Sequence, residues 1–337
     1  MPAADELAPL GHERVDRDAF DQLASAGRTA DAQAWVEGLL DAGAPVLDVL
    51  DAIADVQRQV GERWAVGAWT VAQEHTATIV SAAAVAAVER RVGQLPVSRG
   101  QVLLACCDRE WHVVPAAIVG AALRSGGWSV TMLGASTSPV RFSQAVQDLG
   151  PDLTAISCSV LDGLPAARRL IEASTAAGVP VLAGGPAFGD DATRALRLGA
   201  TLWAASAREA VECLEDAPAV VTPAAPLDAA GMQERAALEL VRDALADRLV
   251  EAWGPRVQPP GLLGEATGDV VRQTLSGVEA SLLTGEPGPL RQAVRWATGL
   301  LTGRGVEASN LGFLGNLVEV ELREYPLAHA LVVQHWT

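Results

Sequence analysis

Glu110 and His112 form a carboxylate–imidazole pair, two positions apart, of the kind that binds metal ions in proteins. They follow the apolar run 102–107, which has the pattern of a buried strand, and they precede a helix predicted from residue 114. Ligands of open α/β sheets bind at the carboxyl ends of the strands, where this histidine would lie. A carboxylate two residues earlier could accept a hydrogen bond from one ring nitrogen while the other nitrogen binds a metal ion. An ordinary loop histidine would give the same pattern, so the surrounding elements must decide.

The segment that must position this histidine alternates between strand and helix patterns. This predicts a doubly wound parallel sheet of the Rossmann-like, flavodoxin-like type over residues 97–216. The predicted strands are 102–107, 129–133, 153–159, 179–183 and 201–204. The predicted helices are 114–125, 139–149, 164–177, 190–198 and 207–214.

Before the sheet, the pattern has a helical period and predicts a small bundle. An apolar stripe at three- to four-residue spacing ends at Trp64. Thr70 and Gln73 then form a capping box, in which each side chain satisfies a free N–H group at the start of a new helix. Glu74 and His75 fall in the opening turns of that helix.

After a Pro- and Ala-rich segment the pattern is helical again, with four apolar stripes and no strand pattern. The fold class is therefore α/β plus all-α. The predicted parts are a disordered leader (1–18), a helical bundle (19–96), the sheet domain (97–216), a linker (217–230) and an all-helical domain (231–337).

The composition narrows the classes of function. The chain has 337 residues and a formal net charge of −16, which repels a phosphate backbone and argues against direct nucleic-acid binding. No apolar run reaches the roughly 20 residues of a membrane span, and the N-terminus lacks a signal-peptide pattern, so we expect a cytoplasmic protein without membrane contact. The absence of a C-x-x-C pair favours structural thiols over a disulfide or zinc site for Cys106, Cys107, Cys158 and Cys213.

The sheet segment resembles the cobalamin-binding domain shared by methionine synthase, corrinoid methyl carriers and B12-dependent photoreceptors. The pattern of that domain is an acidic residue with His two positions later, a Ser-x-Leu or Ser-x-Thr strand end, and Gly-Gly after the fourth strand. Here these are Glu110 with His112, the run 157–159 (Ser-Cys-Ser) and the run 184–185 (Gly-Gly). The acid is Glu rather than Asp, and Pro115 stands where the family has Gly.

The resemblance implies a role for each of these residues. His112 would coordinate cobalt from below, in place of the dimethylbenzimidazole of the cofactor, and Glu110 would orient it. The serines would offer hydroxyls to the displaced nucleotide tail, and the glycines would permit close backbone approach. An ordinary strand-to-loop turn would also explain the glycine pair. The implied cofactor-binding residues of the sheet domain are Glu110, Trp111, His112, Ser157, Ser159, Gly184 and Gly185.

The bundle resembles the cap of the light-dependent B12 repressors, which has a Trp-x9-Glu-His pattern. Trp64 would cover the 5′-deoxyadenosyl group, with Glu74 and His75 beside it. The alternative is a core tryptophan and a favourable charge at a helix N-terminus. Two differences stand out. Ala65 replaces the histidine that follows the tryptophan in those repressors, and we expect no room before the bundle for their DNA-binding helix-turn-helix.

The whole architecture resembles the photocobilins, photoreceptors that hold cobalamin close to biliverdin, the latter in a globin-like helical domain. Arginines would match the bilin propionates and aromatic residues its rings, although each such residue could instead belong to the surface or core. No cysteine follows Cys213, which excludes a thioether from within that domain. The candidate bilin-binding residues are Trp253, Arg256, Arg295, Arg323, Tyr325 and His329, with Trp296, His335 and Trp336 as further aromatic candidates.

The resulting hypothesis is a non-catalytic light sensor that holds adenosylcobalamin between bundle and sheet, with biliverdin as a second cofactor. Its output would pass through light-dependent self-association or a downstream effector protein. The alternative is the corrinoid methyl carrier of a methyltransferase, which has a bundle and this sheet but needs neither the adenosyl cap nor a third domain. An adenosylcobalamin mutase subunit would need a catalytic barrel, for which this chain has no pattern.

Overall fold

The computed structural model describes residues 15–257 and 263–336. It has the predicted helical bundle, sheet domain and all-helical domain, so the predicted fold class is confirmed. The bundle consists of α1 (Arg17–Ser25), α2 (Thr29–Asp41), α3 (Val46–Ala65) and α4 (Val71–Val92). The sheet domain consists of β1 (Gln101–Cys106), α5 (Val113–Ser125), β2 (Ser129–Met132), α6 (Pro139–Leu149), β3 (Leu153–Ser157), α7 (Leu164–Ala176), β4 (Val181–Gly184), α8 (Thr193–Arg197), β5 (Leu202–Ala204) and α9 (Ala207–Cys213). The third part consists of α10 (Ala229–Val257), α11 (Leu263–Thr284), α12 (Gly288–Gly303), α13 (Ser309–Glu321) and α14 (Pro326–His335).

Side-chain caps fix the N-terminal ends of α1 and α4. Oγ1 of Thr70 accepts the backbone N–H of Gln73 at 3.3 Å, and Oε1 of Gln73 accepts that of Thr70 at 2.9 Å, so the predicted capping box is present. The side chain of Asp16 caps α1 by accepting the backbone N–H groups of Asp18 and Ala19, which makes Arg17 helical. The last two residues of the predicted leader therefore belong to α1, and residues 1–14 lie outside the described part of the chain.

The five strands are parallel and lie in the order β2-β1-β3-β4-β5. This is the flavodoxin-like order, in which the connections on the two sides of β1 and β3 run in opposite directions and leave a crevice between these two strands. Cys106 pairs in register with Ser157, which pairs with Gly184, so β1, β3 and β4 end at one level. The crevice at that level is where the fold places ligands.

The C-terminal part contains one helix more than the four stripes predicted. The Tyr325-Pro326 pair has the pattern of a helix end, but Pro326 instead opens α14. Proline favours the first helical turn because its fixed φ fits there and its missing N–H has no intrahelical acceptor. Ala328 and Val332 of this helix pack into the core that the five helices share.

The predicted linker is packed against the sheet domain. The backbone N–H of Ala224 donates to Oγ1 of Thr175 at 3.1 Å, and the guanidinium of Arg168 donates to the carbonyl of Ala225 at 2.6 Å. Arg168 is itself buried, so the segment covers it. These two hydrogen bonds fix the path of the linker along the sheet domain. The helix α10 begins at Ala229, two residues earlier than predicted.

The third domain is docked on the sheet domain. Ala280 and Leu283 of α11 belong to the same buried cluster as the sheet residues around Phe188. Polar contacts surround this apolar junction: Arg194 pairs with Glu286 at 2.9 Å across it.

A second group of charged side chains lies at the junction of the sheet domain with the third domain, beside the end of β3. Nη1 of Arg242 lies 2.5 Å from Asp162, which follows β3, and 3.5 Å from the buried carboxylate of Glu279 on α11. Burial raises the pKa of Glu279 to about 7, against the opposing charge of Arg242. The third domain thus contacts the sheet domain at the strand edge that holds the crevice.

Two properties of the described residues complete the fold. The four cysteines are free thiols, as predicted, and burial raises the pKa of Cys106 to about 12 and that of Cys213 to about 11. Within residues 15–257 and 263–336, no helix is long and apolar enough to cross a membrane.

Candidate functional site

The candidate site lies at the carboxyl edge of the sheet, in the crevice between β1 and β3. The side chain of Glu110 is fully buried there and accepts three hydrogen bonds. Its Oε1 accepts the backbone N–H of His112 at 2.8 Å and lies 2.6 Å from Nδ1 of the same residue. Its Oε2 accepts the backbone N–H of Ser159 at 2.5 Å. One carboxylate thus joins the segments that follow β1 and β3.

The charges of this pair reinforce its geometry. Burial opposes ionisation of Glu110, but the hydrogen bonds from His112 and Ser159 outweigh it, so the pKa of this carboxyl is lowered. The hydrogen bond to Glu110 raises the pKa of His112 against the effect of burial, and the Glu110 and Glu74 charges add to the increase. Because an ionised carboxylate only accepts, the neutral imidazole carries its proton on Nδ1. Nε2 is then the basic nitrogen, on a side chain that is 61% exposed.

The loop that presents the pair is fixed by the loop after β2. Ser136 donates its backbone N–H to the carbonyl of Glu110 at 2.9 Å and its hydroxyl to Asp108 at 3.1 Å. Its hydroxyl oxygen also accepts the backbone N–H of Arg109 at 3.1 Å. Arg109 and Ser136 both have a positive φ, of 66° and 46°, which is uncommon outside glycine and clusters at functional sites. Sequence reasoning missed Ser136, since its local pattern contains nothing that links it to residue 110.

The other predicted sheet residues lie along the same edge. Ser157 is buried at the end of β3, in register with Gly184. The hydroxyl oxygen of Ser159 is buried, and it has no hydrogen-bond partner among the described residues. Trp111 is 72% exposed, so its indole lies at the surface next to His112. The edge therefore offers one oriented imidazole, one unpartnered hydroxyl and one uncovered aromatic ring.

The glycine pair after β4 has a structural requirement of its own. Gly185 has a φ of 106°, and a Cβ at this position would lie 2.4 Å from the carbonyl oxygen of Cys158. At Gly184 the φ is ordinary, and a Cβ would lie 3.2 Å from the carbonyl oxygen of Ala204. The turn itself thus explains the glycine at 185, whatever ligand approaches it.

The bundle contributes a second polar group. Oε1 of Glu74 accepts the hydroxyl of Thr78 at 3.0 Å, and Nε2 of Gln57 donates to that hydroxyl oxygen at 2.9 Å. Nε2 of His75 lies 3.4 Å from the other carboxylate oxygen of Glu74. Because the Glu74 charge also raises the pKa of His112, the two predicted halves of the site are electrostatically linked. Helical spacing could have revealed Thr78, which stands one turn after Glu74 on the same face.

Trp64 lies at the junction of the bundle with the third domain. It is partly buried and packs against the core of the C-terminal helices. The guanidinium carbon of Arg304 lies 5.8 Å from the centre of its ring. The tryptophan that was predicted to cap the ligand thus also contacts the third domain, a contact that sequence reasoning missed.

The residues predicted to bind a bilin are dispersed. Trp253 is a fully buried core residue, and its indole N–H donates to a backbone carbonyl at 2.9 Å. Arg256 stacks on Phe313, with its guanidinium carbon 3.8 Å from the ring centre. Nε2 of His329 lies 3.7 Å from Glu319. These three candidates are engaged in contacts within the helical domain.

The other candidates line two separate clefts. The first, of about 400 Å³, lies between α12 and α13 and is lined by Arg291, Arg295 and Trp336 among others. The second, of about 490 Å³, is lined by Arg323 and Tyr325. The six predicted side chains therefore do not form one site.

The residues at the sheet edge fit a cobalt ion carried by a corrin ring. His112 supplies one basic nitrogen, and Glu110 fixes the tautomer from behind, as is usual for ligating histidines. Ser159, whose backbone N–H binds Glu110, has a buried hydroxyl with an unused donor and acceptor among the described residues. A cobalt ion with an equatorial macrocycle needs only such a single ligand from the protein, and the nucleotide tail needs polar partners of this kind.

Comparison with known proteins identifies the class of protein to which this chain belongs. A family model described as a B12 binding domain matches residues 100–214, and a second B12 binding domain model matches residues 17–89, so this is a B12-binding protein. Over 210 residues, 55% of this chain, the sequence is 31% identical to the HTH-type transcriptional repressor CarH of Myxococcus xanthus, of which it covers 68%. The chain belongs to the family of CarH-like B12-dependent photoreceptors.

A solved structure shares the fold. The monomethylamine corrinoid protein of Methanosarcina barkeri superposes with a TM-score of 0.52 at 16% identity, over 59% of this chain and 96% of that protein. At this identity the likeness concerns the fold alone.

Proposed function

We propose that this chain is a light sensor that binds adenosylcobalamin with His112 as the lower cobalt ligand. The observation that carries the proposal is the Glu110–His112 pair, in which a buried carboxylate 2.6 Å from Nδ1 leaves Nε2 basic on an exposed ring. Membership of the CarH-like family supports the assignment to light sensing. The protein acts without catalysis, by changing its conformation.

The sheet domain holds the lower side of the cofactor. Glu110 keeps His112 in the tautomer that ligates cobalt and holds its orientation. Ser157 and Ser159 offer hydroxyls to the nucleotide tail, and Trp111 covers part of the ring edge with its exposed indole. When bound, adenosylcobalamin supplies a cobalt–carbon bond that visible light breaks.

The bundle holds the upper side. Trp64 supplies an aromatic surface, and Glu74, held by Thr78, supplies hydrogen-bond acceptors for the adenosyl group. Without an adenosyl group these side chains lose their partner, which lowers the free-energy cost of moving the bundle. The shift between the two arrangements is set by the difference in ligand affinity between them. We propose light-dependent self-association of this chain as the output, with a downstream partner protein as the recipient.

The test uses the protein rather than the cofactor as its readout. Purified protein is loaded with adenosylcobalamin in the dark, and its molar mass and amide exchange over α3 and α4 are measured before and after green light. We expect illumination to change both in the wild type, and to change neither in protein loaded with hydroxocobalamin. Identical mass and exchange in the dark and after light would refute a sensor.

The second candidate is a corrinoid methyl carrier, because the Methanosarcina barkeri corrinoid protein has the same fold and the fold alone does not separate the two functions. A carrier would exchange a methyl group on reduced cobalt in the dark, together with a methyltransferase partner. Retention of methylcobalamin over adenosylcobalamin, by absorbance after desalting, would favour the carrier. The reverse preference would favour the sensor.

Biliverdin as a second cofactor belongs to the same proposal. The cleft between α12 and α13 suits it better than the other, since Arg291 and Arg295 stand one turn apart beside Trp336. Guanidinium groups bind carboxylates in pairs of hydrogen bonds, which matches the two propionates. We expect a red absorption band that co-purifies with wild-type protein incubated with biliverdin and is reduced in Arg295→Ala. A wild-type protein without that band would remove this part of the proposal and leave the cobalamin part standing.

A further inference from the structure

Trp64 is shared between two domains. It stands in the last turn of α3, next to the end of the helix at Ala65, and its side chain packs against the core of the C-terminal helices. The third domain is therefore in direct contact with the residue that is proposed to face the upper ligand of cobalt.

Arg304, directly after α12, grips this turn. Its Nη2 donates to the carbonyl of Trp64 at 3.1 Å, and its Nη1 donates to the carbonyl of Ala65. These are among the last carbonyls of α3, which have no partner within the helix and carry the negative end of its dipole. The guanidinium also lies against the Trp64 ring, at 5.8 Å from its centre. One side chain thus fixes both the backbone and the ring of the cap residue.

The guanidinium of Arg304 binds backbone carbonyls and has no acidic partner among the described residues. Its remaining hydrogen bond is to the carbonyl of Leu300 on α12, at 3.2 Å. Arg63, in the same turn of α3, is bound within the bundle instead, by Asp21 at 2.7 Å and on the face of Trp69 at 4.9 Å. Of these two arginines, only Arg304 reaches the turn from outside the bundle.

Two glycines permit the close approach. A Cβ at Gly303 would lie 2.5 Å from Cα of Val66, so the two backbones touch. Gly67 has a φ of 73°, and a Cβ there would lie 3.1 Å from the side chain of Arg304. The contact therefore depends on a glycine on each side. Gly303 is needed because a side chain would not fit, and Gly67 because of its backbone conformation.

We infer that Arg304 is a positioning residue, through which the C-terminal domain holds Trp64 in the place that recognises the bulky upper group of an alkylcobalamin. The inference rests on the proposed function and adds the third domain to the cap. It explains why Arg304 points at helix-end carbonyls of another domain in a chain with an excess of carboxylates.

The test compares Arg304→Gln and Arg304→Lys with Arg197→Gln in the whole 337-residue chain. Arg197 is a matched control because it also donates across a domain junction to helix-end carbonyls, those of Thr284 at 3.2 Å and Gly285 at 3.0 Å, away from the bundle. The affinities for adenosylcobalamin and methylcobalamin are measured by absorbance titration in the dark. We expect Arg304→Gln to reduce the preference for the adenosyl form by roughly fivefold to tenfold, with the methyl form bound as in the wild type. Lysine should restore part of the preference, since it keeps the charge but cannot bind both carbonyls in the same fork.

A second readout needs no cofactor. The backbone N–H of Gly67 donates to the carbonyl of Trp64 at 3.0 Å, and that of Trp69 to the carbonyl of Arg63 at 3.1 Å. Hydrogen exchange at these amides of the apoprotein should be faster in Arg304→Gln and unchanged in Arg197→Gln. An unchanged preference together with unchanged exchange would overturn the inference, as would an equal loss of preference in Arg197→Gln. If the wild type bound no cobalamin, the proposed function would fail, and exchange alone would still decide whether Arg304 holds the turn.

Discussion

The backbone N–H of Ser159 and the carboxylate of Glu110 meet at 2.5 Å across the crevice between β1 and β3. The carboxylate that orients His112 is therefore itself held by the neighbouring strand end. Because both oxygens accept, the pair has no freedom to rotate without breaking a buried hydrogen bond. The orientation of the imidazole is thus a property of the sheet and not of one loop.

Glu110→Gln should weaken cobalamin binding about 10- to 100-fold. An amide has only one acceptor oxygen, so either Nδ1 of His112 or the N–H of Ser159 loses its partner. Equilibrium titration with absorbance detection measures the loss. Glu319→Gln, which changes the carboxylate beside His329, is the matched control and should bind as the wild type does. Equal affinities in all three proteins would contradict the orienting role.

His112→Ala should abolish His-on ligation. We expect cobalamin to be lost on desalting or, where some remains, to keep its own dimethylbenzimidazole on cobalt, because no imidazole replaces it. The absorption spectrum of the retained cofactor distinguishes the two ligation states. A variant with the retention and spectrum of the wild type would exclude His112 as the ligand.

Gly185→Ala should destabilise the protein by at least about 2 kcal/mol, because the new Cβ meets a backbone carbonyl at 2.4 Å and the φ of 106° is unfavourable. Gly178→Ala separates the two causes: its φ is 76°, and a Cβ there meets no atom within 4 Å. The conformational cost alone predicts a loss of about 1 kcal/mol for this control. Urea unfolding gives both values, and equal losses would show that the contact with Cys158 is unimportant.

Glu279→Gln should remove a pH dependence of stability. Burial raises the pKa of Glu279 to about 7, so the folded protein binds more protons at this group than the unfolded chain between pH 4.5 and pH 7. The stability of the wild type should then fall as pH rises through this range, by at most about 3 kcal/mol. The variant should match the wild type at pH 5 and exceed it at pH 8 in thermal unfolding. Glu321→Gln, in the more exposed pair with Arg248, should keep the slope of the wild type.

The helices and strands, and half of the candidate cofactor site, could be predicted from local sequence patterns. The alternation of strand and helix patterns and the Thr70–Gln73 capping box are determined within a few residues, and the structure has both. The relation of Glu110 to His112 was predictable because two residues of separation bring carboxylate and imidazole together. The parallel, doubly wound sheet followed from the alternation of strands and helices.

Contacts between distant segments could not be predicted in this way. Ser136 and Arg304 act on residues 26 and 239 positions away or more, and their own neighbourhoods are unremarkable loop and helix-end sequences. Trp253 had the type of a ligand but is a core residue, since a tryptophan pattern does not distinguish the two roles. In each case the three-dimensional packing decided what the residue type left open.

The segment between the sheet and the third domain has a consequence for engineering. Arg168 and Thr175 hydrogen-bond to it at two points, so the segment lies along the surface of α7 and does not act as a flexible spacer. Cutting the chain here would expose the buried guanidinium of Arg168. Grafting the C-terminal helices onto another protein would require that protein to provide an equivalent contact surface for this segment.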